Sequence, residues 1–345
     1  MFFALSTLKH TALVVGGCNL VGYGITAVLE THKLTDLVGC GSFVVATLSL
    51  SNSNGLLANI RNGNFSHSKI IAINLAIVLW GSRLATYLFH RVLNVGEDKR
   101  LDKFFRRPGE KYLDLTGSFY PIKLSSFWLI QAMWSFICLL PVTFVNAMPQ
   151  YKHILKVAGV RAVGSWEALP IAGIFVGIIM EAVADWQKSS YRSNPRNDGH
   201  WCDKGLWKIC RYPNCKCHSG IYTRTKNCNS RRHYYFTDFG EMLTWWSVYL
   251  SCMPMMYRFI EANLLYNKLP ASLSNVLPPF MTVALLSALS PAFITFLLLK
   301  VSGVPLLEVK YQRQYKDNKE YQEYVASTPL LVPFSNRFGK STKND

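Results

Sequence analysis

Four stretches of this 345-residue chain carry no Asp, Glu, Lys or Arg: 11–29, 37–60, 124–151 and 269–299. As helices rising about 1.5 Å per residue, each is long enough to cross the roughly 30 Å hydrocarbon layer of a bilayer. The competing reading is a soluble helical protein with a very apolar core, but such cores rarely hold uncharged runs beyond about 20 residues. The run after Lys9 is long for a cleaved signal peptide, and no small-x-small cleavage site follows it. It is therefore expected to be a membrane helix.

Three further segments are apolar but touch charge: 70–89 contains Arg83, 168–180 runs into Glu181, and 242–257 lies between Glu241 and Arg258. A charge at mid-bilayer costs about 3 kcal/mol or more and usually faces a partner or a wet cavity, so such spans often carry function. The seven segments predict an all-α fold, a polytopic membrane bundle of six or seven transmembrane helices, with seven the preferred count.

The formal net charge of +17 invites a nucleic-acid reading, so its placement matters more than its total. Of the 37 Lys and Arg residues, 26 fall in three segments, 92–123, 187–238 and 300–345. With seven spans these segments share one face of the membrane, and the excess of positive charge makes that face cytosolic. The charge is then a topology signal rather than a nucleic-acid footprint, with anionic lipid or a phosphate-bearing cofactor as beneficiaries. The opposite face receives Asn64-Phe65-Ser66, the one N-x-S/T sequon of the sequence. Four of the nine cysteines (Cys18, Cys40, Cys138, Cys252) lie in the spans and five (Cys202, Cys210, Cys215, Cys217, Cys228) in one basic loop. An odd cluster on the reducing side argues against a disulfide framework.

There is no internal repeat and no separate soluble domain. Each basic segment begins where a span exits, so their meeting would form a cytosol-facing cofactor cavity roofed by helix ends. Two exits carry polar faces at helical spacing. Arg83, Tyr87 and Arg91 are four apart, and Glu181 is continued by Asp185, Lys188 and Arg192. Snorkelling side chains and local ion pairs are the plainer account for Arg91 and Arg192. Arg83 and Asp185, nearer the apolar core, favour a functional one.

The residues "GLWKICRYPN" at 205–214 and "FGEMLTWW" at 239–246 resemble the DUF1295 group of the steroid 5-alpha-reductase C-terminal superfamily. That group's pattern is close to G-L-W-x-x-[ST]-R-H-P-N-Y-x-G-E followed by an aromatic-rich helix. Further similar blocks occur in family order: "WGSRLATYLFHR" at 80–91, "GEDKR" at 96–100, "ADWQKSSYR" at 184–192, "SGVPLLE" at 302–308 and "EYQEYVASTPLLVPF" at 320–334. The resemblance divides the chain into N-terminal transmembrane helices, 1–91, and a reductase-like region, 92–345. Within the latter, 215–238 is an atypical insertion rich in Cys, Arg and Asn.

The resemblance implies a membrane bundle whose C-terminal half holds NADPH. A 2′-phosphorylated dinucleotide needs cationic forks for its phosphates and a matched donor and acceptor pair for its carboxamide. By that resemblance Asp185, Lys188, Arg192 and Arg211 would meet phosphate, ribose or adenine groups. Asn214 and Glu241 would face the nicotinamide, Tyr324 would close over the cofactor, and Glu308 is carried over with them. Plainer roles also fit: Asn214 as a helix cap, Glu241 as an acid favoured by a helix N-terminus, and Tyr324 as a packing residue. The implied reaction is reduction of an activated C=C bond in a lipophilic substrate, steroid-like or a fatty enone. A neutral buried acid would polarise the substrate carbonyl as charge develops on its oxygen, a role that suits Tyr. Tyr87 and Tyr120 are candidates by position.

The chain departs from the pattern in three places. Tyr212 stands where His is usual, Cys210 stands where Ser or Thr is usual, and the insertion leaves Asn214 and Glu241 27 residues apart instead of four. The pair converges only if 215–238 loops out. The Cys and His spacing of the insertion, Cys215, Cys217, His218, Cys228 and His233, matches no standard zinc site, so no metal is expected. Its composition suits a disordered cytosolic loop. Two rival functions remain: an S-adenosylmethionine-dependent membrane methyltransferase of isoprenylcysteine type, which shares a related R-H-P-x-Y pattern, and a non-catalytic lipid-binding relative. The expected setting is the endoplasmic reticulum membrane with the basic loops cytosolic, the bilayer and a lipophilic small molecule as partners, and no nucleic acid.

Overall fold

The computed structural model of the chain describes residues 4–63, 67–95, 104–106, 109, 112, 119–151, 154, 165–197, 200–209, 239–301 and 314–327. These residues are almost wholly helical and contain no strand. The sequon at Asn64, the insertion 215–238, and the predicted residues Cys210, Arg211, Tyr212, Asn214 and Glu308 lie outside them. The chain divides into two compact units, one of Met1–Ile171 with Ser247–Ser290 and one of Ala172–Trp246 with Pro291–Asp345.

The first unit holds α1 (Leu5–Leu29), α2 (Thr35–Ser53), α3 (Leu56–Arg61), α4 (Ser68–Val95), α5 (Ile122–Cys138) and α6 (Leu140–Ala147). The polarity of α1 runs inside out. On α1 the buried positions include Thr7, Thr11, Asn19 and Thr26, while Leu13, Leu20 and Val28 are between 68% and 76% exposed. A water-soluble bundle does the reverse. In lipid the surroundings are as apolar as leucine, so helices associate through close packing and interhelical hydrogen bonds. The first unit uses both. Thr11 and Thr143 share a hydrogen bond of 3.0 Å, and Ser42 donates to Ser135 at 3.0 Å. The side-chain amides of Asn74 and Asn146 exchange hydrogen bonds of 2.8 Å, and Asn74 also donates to the Ser51 hydroxyl at 2.9 Å. Gly81 lets α4 approach α2 closely, since a Cβ there would lie 2.9 Å from Val44 Cγ2. Phe43 is held between the rings of Trp80 and Trp134, with centroids 5.1 and 4.8 Å away. Buried threonines and asparagines under exposed leucines on α1 are consistent with lipid rather than water as its surroundings.

Among the described residues four helices are long and apolar enough to cross a membrane: Leu5–Leu29, Ser68–Leu93, Ala168–Ser193 and Leu273–Val301. A fifth is formed if Ile122–Cys138 and Leu140–Gln150, bent by 51°, count as one span. This is fewer than the six or seven expected, and the two missing segments have physical reasons. Segment 37–60 is not one helix: α2 ends at Ser53, the chain turns at Gly55 in the left-handed region (φ 71°), and α3 follows. What remains of it is diluted by Ser, Thr, Gly and Asn. Segment 242–257 lies in α9 (Phe239–Tyr266), where Trp, Tyr, Ser and Thr lower the hydropathy and Glu241, Arg258 and Glu261 sit toward the ends. Between these, α7 (Ser165–Ser193) and α8 (Leu206–Ile209) precede α9, and α10 (Leu273–Phe296) and α11 (Lys319–Ser327) follow it.

The second unit is built on the 172–193 part of α7 and the first two turns of α9. They pack through paired glycines: a Cβ on Gly177 would lie 2.6 Å from the Gly240 carbonyl and 2.8 Å from the Thr244 nitrogen. A Cβ on Gly240 would lie 3.0 Å from the Gly177 carbonyl and 3.2 Å from the Glu181 nitrogen. Gly177 leaves no room for a side chain without a shift of the backbone, and at Gly240 an added carbon would require its neighbours to give by a few tenths of an ångström, the close backbone contact typical of small-residue membrane interfaces.

Candidate functional site

The Gly177–Gly240 contact brings the start of α9 against the turn of α7 that carries Glu181. From there toward the end of α7 the buried face reads Glu181, Asp185 and Lys188, exposed by 0%, 4% and 7%. Arg192 continues the face at the last turn and is exposed. Glu241, 8% exposed, lies in the first turn of α9 beside Gly240. Burying one ionisable side chain in an apolar bundle is costly, and four within one unit mark a polar interior that packing alone does not require.

Over this face lies the 200–209 segment. Gly205 adopts φ 61°, a left-handed conformation that turns the chain tightly onto α7 beside Gln187. The Gln187 side chain accepts the Leu206 backbone N–H at 2.9 Å. One turn deeper, the buried Trp207 indole donates to the Ala184 carbonyl at 3.1 Å. The Lys188 ammonium stands 4.5 Å from the centroid of the Trp207 ring, within the range of a cation–π contact. The segment is held again from the C-terminal side. The Tyr324 hydroxyl donates to the Trp207 carbonyl at 2.7 Å, and Trp201 packs among Tyr315, Tyr321 and Tyr324 with centroids 5.3, 5.0 and 6.0 Å away. Asn318 caps α11 by accepting the Tyr321 N–H at 3.0 Å. Burial pushes the Cys202 thiol up, against a smaller downward pull from a hydrogen bond to the Lys204 backbone. It therefore stays protonated near neutrality and is a poor nucleophile.

Of the residues predicted for cofactor binding, Asp185, Lys188, Arg192, Glu241 and Tyr324 all belong to the second unit. Arg211, Asn214 and Glu308 lie outside the described residues, so the convergence of Asn214 with Glu241 is not among the described features. The two proton-donor candidates belong to the first unit. Tyr87 is half-buried on α4. Tyr120 is fully buried, and its hydroxyl hydrogen is committed to the Ala27 carbonyl at 2.6 Å. Burial first, then the neighbouring Tyr112, push that phenol up to about 12. Its surroundings, Ala27, Leu124 and Trp128, are those of a packed joint between α1 and α5.

An open cavity of about 330 Å³ is lined by Trp186, Gln187 and Tyr191 of α7 with Asn194, Lys204 and Gly205. None of the described residues predicted for cofactor binding lines it. Among the described residues no group of three or more His, Cys, Asp or Glu side chains is placed to hold a metal ion. Sequence reasoning quoted Trp207 within a motif but gave it no role, and it passed over Gln187, Gly177 and Gly240. The family pattern G-L-W flags Trp207, but its contact with a lysine 19 residues earlier is a tertiary fact.

The described residues are almost wholly helical and include several helices long and apolar enough to span a membrane, consistent with an integral membrane protein. Residues 22–222 and 272–328 match the family described as "Protein of unknown function (DUF1295)", and the chain belongs to that family. The match omits 223–271, which includes most of the insertion and the "FGEMLTWW" block. No curated protein and no solved structure matches the chain.

Proposed function

We propose that the protein is an integral-membrane oxidoreductase that uses NADPH to reduce an activated C=C bond of a lipophilic substrate, steroid-like or a fatty enone. Its setting is the endoplasmic reticulum membrane, with the basic segments in the cytosol. The observation that carries this reading is the buried face Glu181, Asp185 and Lys188 on α7, roofed by Trp207 and flanked by Glu241, in a chain of this family.

The donor set fits the dinucleotide. Buried carboxylates suit ribose hydroxyls and the carboxamide N–H, and Lys188 with Arg192 at the helix exit suits phosphate oxygens. When bound, NADPH would supply a hydride for the electron-poor carbon of a conjugated double bond, and the resulting enolate would take its proton from water or an acid of the chain. The chain's own residues would bind and orient the cofactor. Asp185 and Glu241 accept hydrogen bonds in a water-poor setting, where such bonds are stronger than in bulk water. Lys188, seated on an indole rather than in solvent, presents a partly desolvated cation to an anionic group. The aliphatic outer faces of the helices give a lipophilic substrate a route from the bilayer.

The test is NADPH titration into the detergent-purified chain and into a version lacking 215–238, followed by fluorescence quenching. Binding by both supports the reading and makes the insertion peripheral. Binding by the deletion alone supports it and makes the insertion inhibitory. If neither folded protein binds NADPH, the reading is wrong, and a gain of S-adenosylmethionine binding would redirect it to methyl transfer.

A further inference from the structure

We infer that Trp207 is the positioning residue for Lys188, and that Tyr324 acts on the site through Trp207 rather than by touching a ligand. The inference deepens the proposed function and rests on it for the meaning of Lys188, but its geometry stands alone.

A lysine side chain has four rotatable carbons and, in water, loses about 2 kcal/mol of rotamer entropy when fixed. On α7 Lys188 is nevertheless 93% buried, with its ammonium 4.5 Å from the centre of one indole face. That face can serve as a seat only if the ring is fixed. Three contacts, two from α7 and one from α11, fix it. The indole N–H is tied to the Ala184 carbonyl at 3.1 Å, one turn before Lys188 on the same helix, which sets the ring's position along α7. The backbone on the N-terminal side of Trp207 is tied by Leu206 N–H to Gln187 at 2.9 Å. The Trp207 carbonyl takes the Tyr324 hydroxyl at 2.7 Å. The Tyr324 hydroxyl therefore spends its one hydrogen on protein backbone. A tyrosine closing over a ligand would need that hydrogen for the ligand.

The arrangement makes α11 a brace. Trp201 stacks among Tyr315, Tyr321 and Tyr324, so the C-terminal helix and the 200–209 segment support each other. Undocking α11 would release Trp207 and with it the seat of Lys188. Deletion of the Tyr324 hydroxyl and deletion of the Trp207 ring should thus give the same kind of defect, differing only in degree.

Two readouts in the full-length protein test this. The first is amine labelling of Lys188 by an acylating reagent, read by mass spectrometry, which needs no cofactor. Trp207→Leu should raise the labelling rate of Lys188 several-fold, Trp207→Phe should raise it little because a ring face remains, and Tyr324→Phe should fall between them. The second is the NADPH dissociation constant in a double-mutant cycle. Trp207→Leu should weaken binding about tenfold, the scale of a desolvated cation–π contact, and should add nothing further in the Lys188→Ala background. Unchanged labelling in Trp207→Leu, or full additivity in the cycle, overturns the positioning role. If the wild type binds no NADPH the functional proposal falls, while the labelling result still decides whether Trp207 seats Lys188. A Trp207→Phe protein labelled as fast as Trp207→Leu would also overturn it, since both keep an apolar side chain and only one keeps the ring.

Discussion

Gly177→Ala should be among the most damaging single-methyl additions in the second unit. The added carbon would lie 2.6 Å from the Gly240 carbonyl oxygen and 2.8 Å from the Thr244 nitrogen, where ordinary contact begins at 3.4 Å. The shortfall is about 0.6–0.8 Å, and both obstacles are backbone, so no side-chain rotation relieves it. The helices must separate. Overpacking of this kind costs about 1–3 kcal/mol, and replacing a helical glycine by alanine returns about 1 kcal/mol of propensity. The net expectation is a loss of up to about 2 kcal/mol, or up to a few degrees in the unfolding midpoint, against a gain of about 1 kcal/mol where the added carbon meets nothing. Gly16→Ala on α1 is the control, because nothing lies within 4 Å of its added carbon and only the propensity gain applies. Thermal unfolding of both variants in one detergent gives the comparison. Equal midpoints for Gly177→Ala and Gly16→Ala would refute the close crossing of α7 and α9, and with it the placement of Glu241 beside the Glu181 turn.

In the first unit, Asn74→Ala or Asn146→Ala should each cost about 1–2 kcal/mol by removing both amide–amide hydrogen bonds, including the donor to the remaining Oδ1, with the double variant costing less than the sum; additive losses in a detergent unfolding cycle would count against the pair. The Tyr120 phenol should give that unit an alkaline limit. Its proton is held more tightly folded, near 12, than unfolded, near 10, so stability should be unaffected below pH 10 and should fall as pH rises from 10 to 12. Tyr120→Phe should lose the hydrogen bond to Ala27 yet flatten that alkaline decline, which a pH series of unfolding midpoints would reveal. Cys202 should react with a maleimide slowly at pH 7, and faster only as the pH climbs past that of an ordinary thiol.

Much of the architecture was legible in the chain because lipid imposes a one-dimensional rule. A helix that crosses hydrocarbon must be long and nearly uncharged, and 11–29, 70–89, 168–180 and 269–299 each mark such a helix. At 37–60 the expected span is not confirmed, because absence of charge does not ensure one straight helix: the Asn54–Gly55 turn ends α2 and leaves a run of Ser, Thr and Asn that is weakly apolar. Periodicity also placed Glu181, Asp185, Lys188 and Arg192 on one face, since helical spacing is fixed by the backbone alone. Motif order pointed to the family without help from contacts. What no spacing could give was the direction of each side chain. Tyr120 was a proton-donor candidate by position and Tyr324 a residue expected to close over the cofactor, yet one hydroxyl ends on Ala27 and the other on Trp207. Hydrogen-bond partners, the Gly177–Gly240 approach and the seating of Lys188 on Trp207 join residues 19 to 117 positions apart. Such pairings depend on how rigid helices dock, and docking is settled by the shapes of whole surfaces rather than by any local pattern.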